Sequence, residues 1–250
     1  MNAIAILSLR PKSELVDFYS KTGRDDDYDV FYFIDDNDFQ VPTDNRIKFV
    51  QLDDTVCGDS GFNRFNRLSK APGLRVSAWD KALLYFCRLN TAYENVWFLE
   101  DDVFVPRTTL IGEIDAANLG ADLLSSKSWI VESREADVWA HARSITPALS
   151  LPCARGMVCA MRASAKLLQL VEQFACRHPK VDKFIEYIFH TLALHNNLSV
   201  KCVDALKGIV FRHDWQAHQL NANTMYHPVK SIQKQEEFRA HLAHVSNCDQ

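Results

Sequence analysis

Val96-Trp97-Phe98-Leu99 runs directly into Glu100-Asp101-Asp102, and that junction restricts the chain to few architectures. Four apolar residues in a row, with no polar alternation, read as a strand covered on both faces. Such strands belong to parallel sheets held between layers of helices. Three adjacent carboxylates cannot continue into the same core, so the strand has to stop there with acids at its carboxyl end. In open α/β sheets, ligands bind in the crevice beyond the carboxyl ends of the strands. Apolar Val103-Phe104-Val105 follows at once and keeps the acids against the core. Like charges this close to a low-dielectric interior repel, and a hard divalent cation such as Mn²⁺ or Mg²⁺ is the natural counter-charge. A plain acidic turn after a strand is the competing reading of the same residues.

The flanking sequence fits a layered α/β fold. Strands are expected at 3–8, 29–34 and 47–52, with a helix over 12–20 after the first. The polar stretch 53–73 is long for a connection, carries Gly58 and Gly61, and repeats Phe-Asn-Arg at 62–64 and 65–67. Ser77 opens a helix with Trp79, Leu83, Phe86 and Cys87 on one face. Further strands are expected at 121–124, 156–162, 199–203 and 208–212, with helices at 164–176 and 181–195. The second of these helices sets Val181, Phe184, Ile185, Ile188, Phe189 and Leu192 on one stripe. After His227 the chain turns polar and helical. The prediction is a single α/β domain with a mostly parallel, Rossmann-like central sheet flanked by helices, ending in a helical appendage over 231–250.

Composition excludes some partners. The formal charge of −4 over 250 residues argues against nucleic acid, whose binding surfaces are basic. No stretch reaches the roughly 20 apolar residues that span a bilayer. The N-terminal MNAIAILSLRPKSEL reads as a first strand and not as a signal peptide. The seven cysteines are scattered without a CxxC pair, which argues against zinc and for reduced thiols. A cytoplasmic location is the expectation from these features.

WFLEDDVFVP, the upstream SAWDKALLYF and the downstream MYHPVK together resemble the GT-A fold of nucleotide-sugar glycosyltransferases. They are also similar to glycosyltransferases of large algal viruses. The resemblance implies an EDD variant of the DxD motif, with Asp102 on the metal and Glu100 and Asp101 directed towards the donor's ribose. It implies Mn²⁺ or Mg²⁺ as cofactor, a nucleoside-diphosphate sugar (UDP-linked by preference) as donor, and a glycan or glycoprotein acceptor. Residues 1–106 would form the nucleotide-binding half and 107–230 the sugar and acceptor half. His227 is the implied further metal ligand, with His213 as its rival, and Lys230 an implied phosphate contact. A solvated loop histidine before proline is the plain alternative for His227.

Other site residues follow in the same frame. The pair Asp35-Asp36, after strand 29–34, repeats the acid-at-strand-end pattern more weakly, with Asp36 the implied donor contact, though Asn37 and Asp38 make a simple turn an equal reading. Asp80 and Arg75 are implied base or ribose contacts. Asp80 also completes a capping box with Ser77, and Arg75 reads equally as a solvated side chain. Glu186 and Asp182, on the predicted helix 181–195, are candidates for the base that deprotonates the acceptor in an inverting transfer. Both are also ordinary positions for solvated acids. Gly156 would let backbone approach a sugar or serve as a plain strand-entry glycine, and Trp129, Trp139 or Trp215 would stack on a sugar ring or simply belong to the core or rim. Two other functions use clustered acids on such a scaffold: a metal-dependent nucleotidyltransferase or phosphohydrolase, and a binding module without catalysis. The glycine-rich lysine signature of the former and any P-loop are missing.

Overall fold

The computed structural model describes residues 1–25, 28–43, 47–66, 74, 76–133 and 148–248. Seven strands form the central sheet in the order β3-β2-β1-β4-β8-β5-β9. They are β1 (Asn2–Ser8), β2 (Tyr28–Ile34), β3 (Lys48–Val50), β4 (Asn95–Glu100), β5 (Leu123–Ser125), β8 (Ala160–Ser164) and β9 (Val200–Cys202). β1, β2, β3 and β4 run parallel, and β5 is parallel to β9. β8 lies antiparallel to both β4 and β5, with Phe98 opposite Met161 and Leu99 opposite Ala160. The sheet is thus mostly parallel, as the apolar run predicts.

Side-chain alternation divides the core between the two faces of the sheet. Ala3, Ala5, Leu7, Val96 and Phe98 pack on one side against helices α3 (Ala78–Leu84), α5 (Ala165–Arg177) and α6 (Ile185–His195). Ile4, Ile6, Trp97 and Leu99 face the other side, against α1 (Ser13–Asp25) and α4 (Leu110–Ala117). The Trp97 indole and the Arg162 guanidinium both bind Asp115 there, at 3.1 and 2.7 Å, and Tyr28 joins them. A buried charge is thereby paired and hydrogen-bonded, as burial requires.

Three local expectations change. The polar stretch after β3 contains helix α2 (Asp54–Asp59), whose N-terminal amides are capped by Asp53. The helix expected from 181 begins at Ile185, because the amides of Lys183 and Ile185 donate to the carbonyls of Arg64 and Phe65. That pairing holds Phe184 extended, so the helix cannot propagate backwards. The strand expected over 208–212 shortens to β10 (Gly208–Ile209), which pairs with β11 (Tyr226–His227) outside the main sheet. A second small sheet joins β6 (Trp129–Val131) to β7 (Cys153–Arg155). The C-terminal helix α7 (Ile232–Cys248) is more than an appendage: Phe238 and Leu242 pack with Phe104, Tyr226 and Val229. No helix among the described residues is long and apolar enough to cross a membrane.

Candidate active site

The acidic turn is fixed by its backbone before its side chains matter. The Glu100 amide donates to the Cys159 carbonyl at 2.9 Å, and the Asp101 amide to Leu7 at 3.0 Å. The Val103 amide closes the turn on Glu100. The three carboxylates then diverge. Glu100 accepts from the Trp79 indole at 2.7 Å. Asp101 turns to the end of β1, where the Ser8 hydroxyl and the Lys12 ammonium hold it at 2.5 and 2.7 Å. Asp102 directs a buried oxygen, without a hydrogen-bond partner, to within 3.4 Å of His227 Nε2.

His227 arrives from the far end of the chain. Tyr226 and Phe104 exchange both backbone hydrogen bonds, and the Val229 amide donates to the Asp102 carbonyl at 2.7 Å. His227 Nδ1 lies 2.7 Å from the Val210 carbonyl, which can only accept, so Nδ1 carries the proton. Nε2 therefore faces the acids, 3.4 Å from Asp102 and 3.8 Å from Glu100. A metal-ligating histidine is oriented in this way, through a hydrogen bond from its other nitrogen. Trp215 supports the arrangement by donating its indole N–H to the His227 carbonyl and packing on Tyr226.

Burial and mutual repulsion both work against the charged forms of Glu100 and Asp102. Burial raises the pKa of Glu100, and the neighbouring Asp102 charge raises it further. Burial also raises Asp102, partly offset by His227. Cys159 Sγ, the Glu100 carboxylate and the His227 ring lie within 4.8 Å of one another. Burial and the charges of Glu100 and Asp102 push the Cys159 thiol far up, so it stays protonated. A neutral thiol is a poor ligand, which leaves the Glu100 carboxylate and the His227 nitrogen of that trio, with Asp102 Oδ1 3.4 Å from the same nitrogen. That set fits a hard to borderline divalent ion such as Mn²⁺ better than a thiolate-bound one.

A cleft of ≈ 690 Å³ opens on this centre, lined by Glu100, Asp102, His227, Glu186, Lys230 and Phe211 among others. Glu186 sits in the first turn of α6 with its pKa pushed up to about 8, first by burial and then by the Glu100 charge. A smaller hollow of ≈ 220 Å³ adjoins the cleft at the ends of β1 and β4. It shares Glu100, Asp102 and Asn66 with the cleft and adds Ser8, Asp35 and Asp101. No local motif marks Cys159 or Phe211, whereas Asn66 is the middle residue of the second Phe-Asn-Arg repeat.

Several expected site residues are engaged elsewhere. Asp80 is fully buried and accepts from the Phe65 amide and from both the amide and hydroxyl of Ser77. Its capping reading holds, and it lines neither the cleft nor the hollow at β1 and β4. Burial pushes its pKa up to about 7 against those three donors. Asp182 lies ahead of α6 in an ion pair with Arg64 at 3.2 Å and does not line the cleft, so it is no candidate base. Asp36 caps the Asp38 amide and pairs with Arg10 at 2.7 Å, the simple-turn reading; Asp35, not Asp36, lines the smaller hollow. Lys81, wholly buried, braces this turn by donating to the carbonyls of Ile34 and Asp35 and to Asn37. A Cβ on Gly156 would meet the Lys127 carbonyl at 2.2 Å and His190 at 2.4 Å, so this glycine serves close packing and not a sugar. His213 is exposed on Trp215 and does not join the centre. Trp129 is 38% exposed with the Arg155 guanidinium 5.0 Å over its ring, and it does not line the cleft. Arg75 and Trp139 lie outside the described residues.

No family model matches the sequence, and no curated protein matches it. Solved structures do. The galactosyltransferase LgtC in complex with donor and acceptor sugar analogues is 11% identical, over 96% of this chain and 95% of that one, with a TM-score of 0.51. An active-site mutant of LgtC is 10% identical, over 98% and 96%, with a TM-score of 0.50. At these identities the likeness shows the fold: a mixed α/β chain of the GT-A type.

Proposed function

We propose that the chain is a metal-dependent glycosyltransferase that moves a sugar from a nucleoside-diphosphate donor, UDP-linked by preference, to a glycan hydroxyl. The observation carrying this reading is the partnerless buried oxygen of Asp102 facing His227 Nε2, in a cleft that also holds Glu186. Asp102, His227 and Glu100 would hold Mn²⁺. When bound, such an ion neutralises charge that develops on the leaving diphosphate.

The chain's own residues supply the rest. Asp101, held by Ser8 and Lys12, lines the smaller hollow together with Asp35, and ribose hydroxyls would find an acceptor there. Lys230 adds a positive charge at the cleft near Asp102. Among the described residues, Glu186 is the one cleft carboxylate outside the acidic turn, and its raised pKa suits a group that takes a proton from an acceptor hydroxyl. A base in that role gives inversion, which the anomeric configuration of the product reads directly.

Thermal stability measured with a panel of nucleotide sugars, with and without Mn²⁺, tests the reading. Stabilisation by a UDP- or GDP-sugar only when metal is present is the expected result. If no nucleotide stabilises the protein with any divalent metal, the reading fails. Hydrolysis of the donor's phosphates with no sugar transfer would favour a phosphohydrolase instead.

A further inference from the structure

A second hollow of ≈ 580 Å³ opens beside the cleft, between the segment after β10 and the start of α7. It shares Arg212, Pro228 and Lys230 with the cleft but none of the residues of the smaller hollow at β1 and β4. Its walls carry Arg212, His213, Lys230 and Lys234 against a single acid, Asp214. Asp214 is already committed to Lys234 at 2.7 Å and to the Gln216 amide at 3.0 Å. Among the described residues, no carboxylate lies within ion-pair distance of Arg212 or Lys230. The Arg212 guanidinium lies instead over the ring of Phe211, itself 66% exposed. Ser231 caps the first turn of α7, so the positive end of a 17-residue helix adds to the same field.

Lys234 is answered by Asp214 and Lys230 lies in the field of Asp102, so Arg212 is the cation of this hollow that no carboxylate answers among the described residues. In a chain of net charge −4, three basic side chains and a histidine against one acid still mark this wall as positive. The cleft therefore lies between two unlike hollows: one lined by carboxylates that suit hydroxyls, the other by cations. We propose that the cationic hollow binds an anionic group, a phosphate ester or a carboxylate, carried by the acceptor. The acceptor would thus be an acidic glycan or a phosphorylated one, held by Arg212 and His213 so that its hydroxyl reaches Glu186. This rests on the glycosyltransferase reading, since it assigns the other hollow and the acidic end of the cleft to the donor.

The test titrates glycerol 3-phosphate and glucuronate, with glycerol and glucose as neutral controls, into the full-length protein by calorimetry. Each titration is run on the free protein and on protein saturated with UDP and Mn²⁺. The expected result is anion binding that persists with UDP and Mn²⁺ bound, is absent for the neutral controls, and weakens at least tenfold in R212Q and measurably in H213Q. Anion binding that UDP abolishes would make the hollow the donor's own diphosphate site and overturn the proposal. So would equal binding by R212Q or by the neutral probes. If UDP and Mn²⁺ do not bind at all, the glycosyltransferase reading fails and the acceptor assignment with it. Normal UDP binding without anion binding sinks this inference alone.

Discussion

Consider Asp102→Asn in the metal-free protein at pH 8. Asp102 and Glu100 both approach one nitrogen of His227, at 3.4 and 3.8 Å, so their charges are no more than about 7 Å apart. At an effective dielectric constant near 20, two like charges at that distance repel by roughly 2–3 kcal/mol. Burial adds to the cost, and the His227 ring offsets part of it. Both carboxylates have folded pKa values raised above their unfolded ones. Stability from this pair is therefore full at acid pH and is lost as pH rises through the raised folded values. Asparagine keeps the shape and removes one charge.

The variant should then be more stable than the wild type without metal by about 1–2 kcal/mol at pH 8. For a chain of this length that is a rise in Tm of about 2–8 °C. With Mn²⁺ and UDP at about one hundred times Kd, the wild type should gain about 2.7 kcal/mol, and the variant none. The two proteins exchange rank when metal is added. Thermal denaturation followed by circular dichroism, in EDTA and in Mn²⁺ with UDP, at pH 5 and pH 8, reads all of this. A variant less stable than the wild type in EDTA at pH 8 would refute the repulsion argument. An undiminished shift with Mn²⁺ and UDP would remove Asp102 from the metal centre.

Two further outcomes follow from the same geometry. Glu186→Gln should lower turnover by about 10²-fold or more while UDP affinity changes little, and should flatten a wild-type rate profile that rises with pH towards about 8; a normal profile in the variant would return Glu186 to a bystander. Gln235→Leu should cost about 2–3 kcal/mol in denaturant titrations and weaken Mn²⁺–UDP binding with it, because the buried amide donates to the carbonyls of Asp101 and Val229. Unchanged nucleotide binding in Gln235→Leu would mean that α7 stabilises the chain without shaping the site.

What the sequence discloses about this site depends on whether the information is local. The strand and its acidic end are contiguous, so Val96–Leu99 and the three acids are readable from burial and charge alone. Cys159 is not, because it reaches Glu100 through the antiparallel register of β8 on β4, a pairing across some 60 residues that no window of sequence contains. The same holds for α6. Periodicity placed its start near 181, but the Arg64 and Phe65 carbonyls capture the amides ahead of Ile185. Asp182 is thereby left outside the helix while Glu186 enters its first turn. Asp80 shows a reverse case, where a local pattern was correct and sufficient. Its capping box accounts for two of its donors, and the distant Phe65 amide for the third.

Helix α7 shows why a polar tail is easily undervalued. Its sequence has no apolar stripe wide enough to announce a core contact, yet it buries Gln235, Phe238 and Leu242. Gln235 ties the carbonyl of Asp101 to that of Val229, two residues beyond His227. Arg239 donates to the Val105 carbonyl and lies over the rings of Phe18 and Phe104. A helix can therefore govern a site through a few directed hydrogen bonds while most of its surface stays wet. The candidate metal ligands come from positions 100, 102 and 227, and the link between the two segments that bear them runs through α7 as well as through Tyr226. The relative position of His227 and the acidic turn thus rests on the C-terminal helix as well as on the Phe104–Tyr226 and Val229–Asp102 backbone pairs, and the helix's polar sequence alone gives no sign of its share.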